Sequence, residues 1–178
     1  MNISFIGAGK VGTSFGIYLK EKGIKISGYF SENLEDTKIA SFKTKSNVYK
    51  NIKDLVNNSD IILITTNDDS IKSIKDKFIE EIKYDLKYKI VAHMSGSYSS
   101  HVLEDLKKYD CYTYSIHPLQ SFADIDTSVE KLYNTVFTIE GCKEKVNIIE
   151  NLLDKTGNKY FKIDTNYKEL YHAGACVV

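Results

Sequence analysis

The chain of 178 residues contains no arginine and no tryptophan, one proline and three cysteines. Without arginine there is no guanidinium fork of the kind that reads guanine or clamps phosphate. The 24 lysines are balanced by 24 acidic residues, so no net positive field draws in a polyanion, and both facts argue against nucleic acid as a partner. No apolar run approaches the roughly 20 residues of a membrane span, which excludes insertion into a bilayer. Cys111, Cys142 and Cys176 are far apart and odd in number. They lack the paired spacing of a zinc site, and are read as reduced thiols, mostly buried, with no metal centre. The first strand begins at Asn2 with no basic and apolar leader ahead of it, so the expected compartment is the cytoplasm. Hydrophobic residues at 42% and charged residues at 27% describe a soluble globular chain, long enough for one ordinary domain and the opening of a second.

What is present is concentrated in the first dozen residues. Ile3, Phe5 and Ile6 form an apolar strand that breaks into Gly7-Ala8-Gly9-Lys10-Val11-Gly12, a G-x-G-x-x-G turn. Gly7 allows a tight turn, Gly9 lets backbone approach a pyrophosphate, and Gly12 lets the next helix sit close to the strand. Val11, Phe15 and Leu19 form one apolar stripe, and Gly23 stops the helix. Its N-terminus aims free N–H groups at bound phosphate. A glycine-rich turn alone is often without chemical meaning; a strand before it and a helix after it favour a dinucleotide site.

Along the chain, residues 24–30 read as a second strand and 33–41 as a helix capped by Ser31 or Asn33. Glu32 lies 20 positions beyond Gly12, where an acid accepts hydrogen bonds from the adenosine ribose; it reads equally as a first-turn helix acid. A carboxylate there repels a 2′-phosphate, which favours NAD over NADP, with Lys38, Lys43 and Lys45 left as looser phosphate contacts. Residues 60–66 are a continuous apolar strand of the kind parallel sheets bury on both faces. Thr66 and Asn67, at its end, are expected beside the cofactor. Asp68 and Asp69 are read as loop and cap residues, with Ser70 opening a helix that carries Ile71, Ile74, Phe78 and Ile82. Residues 89–94 form a strand ending in Ser95-Gly96-Ser97, followed by a helix with Val102, Leu103 and Leu106. Residues 111–116 form another strand, running into His117-Pro118-Leu119-Gln120. His93 and His117 thus fall at carboxyl ends of strands, the ligand edge of an open α/β sheet, although each alone also reads as a structural group; His101, on a predicted helix, is left as surface. The alternation continues through a strand at 134–140, a helix at 143–155 stopped by Gly157, and a strand at 160–163. A last helix from about Tyr167 reaches Val177 and Val178 without a stop signal and is expected to be interrupted.

In this order the segments at residues 5–12, 67–71, 93–96, 117–122, 139–141 and 171–173 resemble a known family. These are the Rossmann-like oxidoreductases, predicted to use NAD(P) or a deazaflavin, that carry a C-terminal domain of unknown function and are related to the hydroxyacid dehydrogenases. The resemblance implies a doubly wound α/β fold with a mostly parallel sheet of about eight strands over residues 1–165. Residues 166–178 would begin a helix connecting to a helical domain that also forms a homodimer. It further implies that Gly7, Gly9 and Gly12 hold pyrophosphate, and that Ser95, Gly96, His117 and His172 face the nicotinamide and substrate. The sequence departs from the family at Glu32, where arginine is common, and at Asn67, in place of a proline.

The resulting expectation is an oxidoreductase moving hydride between NAD or NADP and a small carbonyl, imine or hydroxy compound. His117, His172 and Ser95 are the candidate catalytic residues and His93 and Gln120 contact substrate; an unperturbed imidazole pKa near ~6.5 suits proton exchange at neutral pH. Cofactor contacts fall to residues 7–12, Ser31, Glu32, Thr66, Asn67, Ser95 and Gly96. The rival readings are a dinucleotide-binding sensor without turnover, a flavin or deazaflavin partner, and S-adenosylmethionine binding.

Overall fold

Short runs rich in β-branched and aromatic residues supply eight strands, as their pleat-filling side chains favour. In the computed structural model, which describes residues 1–175, these are β1 (Ile3–Ile6), β2 (Ile26–Phe30), β3 (Asn47–Val48), β4 (Ile61–Ile64), β5 (Ile90–His93), β6 (Tyr112–Pro118), β7 (Phe137–Gly141) and β8 (Tyr160–Lys162). Cys176, Val177 and Val178, the third thiol and the expected uncapped helix end, lie outside the described residues. The strands form one sheet in the order β3-β2-β1-β4-β5-β6-β7-β8. Every neighbouring pair is parallel except β6 and β7. The chain winds outward from β1 to β3, returns to β4 beside β1 and winds outward again, which leaves a crevice at the carboxyl ends of β1 and β4. This is the doubly wound α/β fold that the sequence implied.

The helices are α1 (Lys10–Glu21), α2 (Leu34–Thr44), α3 (Ile52–Asn57), α4 (Asp68–Lys77), α5 (Ile125–Leu132), α6 (Val146–Thr156) and α7 (Lys168–Ala175). One face of the sheet packs Phe5, Tyr29 and Phe137 against Phe15, Leu132 and Leu152; Phe5 stacks on Tyr29 with ring centroids 4.9 Å apart. The other packs Ile62, Ile64 and Val91 against Leu55, Ile71, Phe78 and Leu103. Burial on both faces is what the unbroken hydrophobic run of β4 requires, while in β1 the one polar residue, Ser4, is buried with its hydroxyl accepting from Ser59 Oγ.

Several expectations are corrected. The loop ahead of Ser70 is already helix: α4 starts at Asp68, because the Asn67 side chain accepts the Ser70 N–H and caps it. After Lys77 the helix widens into a π turn, Phe78–Ile82. The helix expected around Val102 is a 3-10 segment, Ser100–Tyr109, which ends on Asp110 in the left-handed region. β6 runs on through His117 to Pro118, so that histidine sits in the strand and not after it. The sequence reading passed over β3, α3 and α5.

Past β5 the second face changes character. Along β6, Tyr114 and Ile116 join the first core, so the alternating residues Thr113, Ser115 and His117 point the other way. On β7, Phe137 and Ile139 do the same, leaving Thr138 opposite His117 and Glu140 opposite Ser115. A strip of buried sheet is therefore polar, and α7 lies over it.

Candidate functional site

The glycine turn is locked by its surroundings. Gly7 has φ +108°, and a Cβ there would lie 2.8 Å from the Thr65 carbonyl carbon and the Thr66 nitrogen. A Cβ on Gly12 would overlap the Gly7 carbonyl and stand 2.5 Å from Thr65 Oγ1. That hydroxyl in turn donates to the Gly7 carbonyl at 2.8 Å. The turn, the start of α1 and the end of β4 thus touch directly, which leaves no room for side chains. Gly9 is the opposite case: a Cβ there meets nothing within 4 Å. It is the N-cap of α1 and supplies no side-chain cap, so the first N–H groups of the helix are open to an acceptor.

In front of this turn lies a cleft of about 300 Å³, lined by Gly7, Ala8 and Gly9, by Ser31, Glu32 and Asp36, and by Thr66, Asn67 and Lys77. Thr66 Oγ1 is buried and has no hydrogen-bond partner among the described residues. A buried hydroxyl without a partner is costly, and this one belongs to a residue of the cleft wall. Glu32 extends into solvent with its side chain 91% exposed, 3.8 Å from Lys77 Nζ. Lys10 is exposed, Val11 packs against the core and Gly12 lies behind the turn. Open backbone donors, an acidic end and an orphaned hydroxyl fit a dinucleotide.

The histidines gather on the same carboxyl edge. His117 Nδ1 lies 2.9 Å from the Tyr171 hydroxyl, and the rings of His117 and His172 are 6.4 Å apart. Gly96 passes between them: a Cβ on it would stand 2.7 Å from His117 Nε2 and 2.8 Å from His172 Nδ1. Burial, and then the nearby Lys168 ammonium, push the His117 pKa down to about 4. The ring is neutral at pH 7, which corrects the expectation of an ordinary imidazole. The cleft and this cluster meet where Asp68, next to Asn67, accepts from Ser97 Oγ at 2.5 Å. Asp68 is therefore a tie between α4 and the 95–97 loop rather than a loop residue.

Three other expected residues are occupied elsewhere. His93 is fully buried; its Nδ1 accepts the Ser95 N–H at 3.2 Å and its Nε2 lies 3.2 Å from the Ser99 carbonyl. It braces the loop, the structural one of its two readings, and burial holds its pKa down at about 4. The Ser95 hydroxyl accepts the N–H groups of Ser97 and Tyr98, which shapes the loop beside Gly96 instead of presenting a free hydroxyl. Gln120 donates to the Ser128 carbonyl and accepts from Thr135 Oγ1, which ties the turn after β6 to α5 and to the segment that follows it.

The sequence reading missed the residues beneath the imidazoles. Lys168 is 1% exposed and donates from Nζ to Ser115 Oγ at 2.9 Å; burial lowers its pKa to about 8. Glu140, also buried, accepts from the Ser100 N–H at 2.6 Å, from Ser100 Oγ at 2.7 Å and from Thr165 Oγ1 at 2.9 Å. The polar phase of β6 and β7 was the available signal, since a strand covered on both faces has no other reason to alternate. Cys111, pushed by burial up to about 12, and Cys142 are free thiols outside the site. Among the described residues no His, Cys, Asp or Glu group could hold a metal ion, and no helix is long and apolar enough to cross a membrane.

Comparison with known proteins agrees with this geometry. Residues 135–178 match the family model described as Domain of unknown function (DUF2520). Among solved structures, protein TM1727 of Thermotoga maritima is 21% identical with a TM-score of 0.73, over 98% of this chain and 62% of its own. The prephenate dehydrogenase of Aquifex aeolicus is 16% identical with a TM-score of 0.76, over 93% and 62%. A variant imine reductase of Myxococcus stipitatus in complex with NAD+ is 11% identical with a TM-score of 0.80, over 99% and 60%. The chain thus spans less than two thirds of the length of these structures, and at such identities the likeness is one of fold. No curated protein matches the sequence. The model of the Rossmann-like domain matches residues 1–118, two thirds of the chain, and the protein belongs to that family.

Proposed function

We propose that the chain is the dinucleotide-binding part of an NAD(P)-dependent oxidoreductase that moves hydride between a nicotinamide and a small carbonyl, imine or hydroxy compound. The observation that carries this reading is the meeting of the glycine-lined cleft and the paired imidazoles on one sheet edge, joined through Asp68 and Ser97. The open N-terminus of α1 holds the pyrophosphate, the Thr66 hydroxyl finds its missing partner on the cofactor, and Ser95 and Gly96 present backbone to the nicotinamide end. Glu32 accepts from the adenosine ribose, and together with Asp36 it favours NAD, with Lys77, the one cation among the described residues lining the cleft, opposing that preference.

When bound, the nicotinamide supplies or accepts the hydride. A neutral His117 donates a hydrogen bond from Nε2 to the substrate oxygen or nitrogen and polarises the bond under attack, as neutral imidazoles do where a full charge is not needed. His172 delivers the proton that completes reduction and recovers it from solvent. The structural neighbours are longer than this chain; a second domain, starting from residues 166–178, that closes the substrate pocket and pairs two subunits belongs to the same proposal. The test titrates NAD(H) and NADP(H) into the chain and follows loss of reduced-nicotinamide absorbance with a panel of ketoacids and cyclic imines, using a version extended by the rest of its gene. Turnover supports the reading; tight binding with no turnover on any of them makes the protein a dinucleotide sensor.

A further inference from the structure

Two residues of α7 hydrogen-bond to β6 and share one face of the helix. Lys168 and Tyr171 are three apart, on one face of the helix, with a rise of about 4.5 Å between them. Ser115 and His117 are two apart on one face of the strand, about 6.6 Å along it. Lys168 Nζ donates to Ser115 Oγ at 2.9 Å and Tyr171 meets His117 Nδ1 at 2.9 Å, so one helix face grips two successive positions of the polar strip. Below the grip, Ser115 Oγ donates on to the Ser95 carbonyl at 3.5 Å, and Glu140 holds Thr165, three residues before α7's first turn, at 2.9 Å. The Lys168 ammonium also sits 5.4 Å from the Tyr171 ring centre. We propose that Lys168 and Tyr171 are positioning residues: docked as a pair on β6, they fix the His117 ring, with the Tyr171 hydroxyl donating to Nδ1 so that the ring proton sits on Nε2, facing Gly96 and the cleft.

The clamp gives α7 a chemical output. A neutral imidazole has two tautomers, and the partner of one nitrogen decides which nitrogen carries the proton. Tyr171 selects the form that donates toward Gly96, and Lys168 sets the helix against the strand so that the hydroxyl reaches. The charged and titratable groups facing His117 are Lys168, Tyr171 and His172 from α7, Asp68 from α4 and His93 from β5. This inference rests on the proposed role of His117 only for its use in catalysis; the clamp itself is tested without cofactor or substrate.

The experiment is a long-range proton–nitrogen spectrum of the histidine rings across pH 3.5 to 8, on this chain and on Tyr171→Phe, Lys168→Met and Lys168→Arg. In the unaltered protein His117 shows the Nε2–H form, with a midpoint at about 4. Tyr171→Phe shifts its tautomer ratio about fivefold toward Nδ1–H, the loss expected for one net hydrogen bond. Lys168→Met moves the His117 midpoint upward by about one pH unit, the effect of removing a neighbouring like charge, and Lys168→Arg restores it. An Nδ1–H form in the unaltered protein, or a tautomer ratio unmoved by Tyr171→Phe, overturns the proposal. Tyr171→Phe removes a single oxygen and decides the matter if Lys168→Met does not fold. A protein that passes this test and turns over no substrate loses the oxidoreductase reading and keeps the clamp.

Discussion

Gly9→Ala separates the fold of the glycine turn from its use. The residue has φ −74° and ψ −166°, a region that alanine adopts freely, and the added methyl meets nothing within 4 Å. Replacing a glycine where alanine fits stabilises by about 0.4–1 kcal/mol through the unfolded chain. Gly9 is also an N-cap, and alanine is the poorer cap by roughly 0.5–1 kcal/mol. The two nearly cancel, so Tm should stay within about 2 °C. Dinucleotide binding should not survive as well. In the proposed binding mode the pyrophosphate packs against Gly9 in the cleft, so the methyl takes its place, and each lost hydrogen bond to a charged phosphate is worth about 1.5–3 kcal/mol, or roughly 10-fold to 100-fold in Kd. Gly7→Ala is the contrasting change: at φ +108°, with backbone 2.8 Å from the new Cβ, it should destabilise by about 3 kcal/mol or more. Thermal melts and calorimetric titration with NAD(H) and NADP(H) read both variants. A Gly9→Ala protein that melts and binds like the unaltered chain would refute the idea that a pyrophosphate lies against this backbone.

Glu32→Ala should improve NADP(H) affinity relative to NAD(H) by about tenfold or more, measured by the same titrations; an unchanged ratio removes Glu32 from the ribose. Gly96→Ala should lower turnover steeply, because the methyl would stand 2.7 Å from His117 Nε2 and 2.8 Å from His172 Nδ1 and drive the two imidazoles apart, and should weaken dinucleotide binding less than Gly9→Ala does, since Gly96 is not among the residues lining the glycine cleft. His93 and His117 both titrate at about 4 in the fold and near ~6.5 unfolded, so the unfolded chain binds more protons between those limits. Their contribution to stability is complete above pH 6.5 and is lost as pH falls through 4, at up to about 1.4 kcal/mol per pH unit for each ring; urea unfolding at pH 7.5, 6 and 5 checks the slope. Glu140→Gln turns an amide NH₂ against the Ser100 and Thr165 donors and should cost about 1–3 kcal/mol in a thermal melt at neutral pH.

The legible parts of this molecule are those where local chemistry and tertiary packing ask for the same thing. β1, the turn and α1 could be read because apolar run, glycines and helical stripe agree; β4 could be read because a strand buried on both faces must be unbroken. β3 escaped because it is two residues long with exposed side chains, leaving no periodic pattern to find. α3, at six residues, is too short to show one. The onset of α4 was misplaced because Asn67 caps through its side chain, a contact that spacing does not reveal. Among the site residues, the glycine turn followed from sequence, whereas Ser95 and Gln120, chosen for their place at strand ends and, for Ser95, from the family resemblance, spend their hydrogen bonds on holding loops. Lys168 and Glu140 were assigned no role in the sequence and are buried, because their partners are distant in it: Ser115 lies 53 residues before Lys168, and Glu140 is held by Ser100, 40 residues before it, and by Thr165, 25 after it.

The two halves of the site also differ in when the chain can build them. Every residue lining the glycine cleft falls between Ile6 and Lys77. The clasp on His117 comes from 54 positions further on, across a loop whose closure entropy must be met before its contacts stabilise anything. During synthesis every residue lining the glycine cleft is therefore made before α7 is. Under the proposed function, a dinucleotide that reaches this half once it has folded stabilises it by mass action before the clasp on His117 closes.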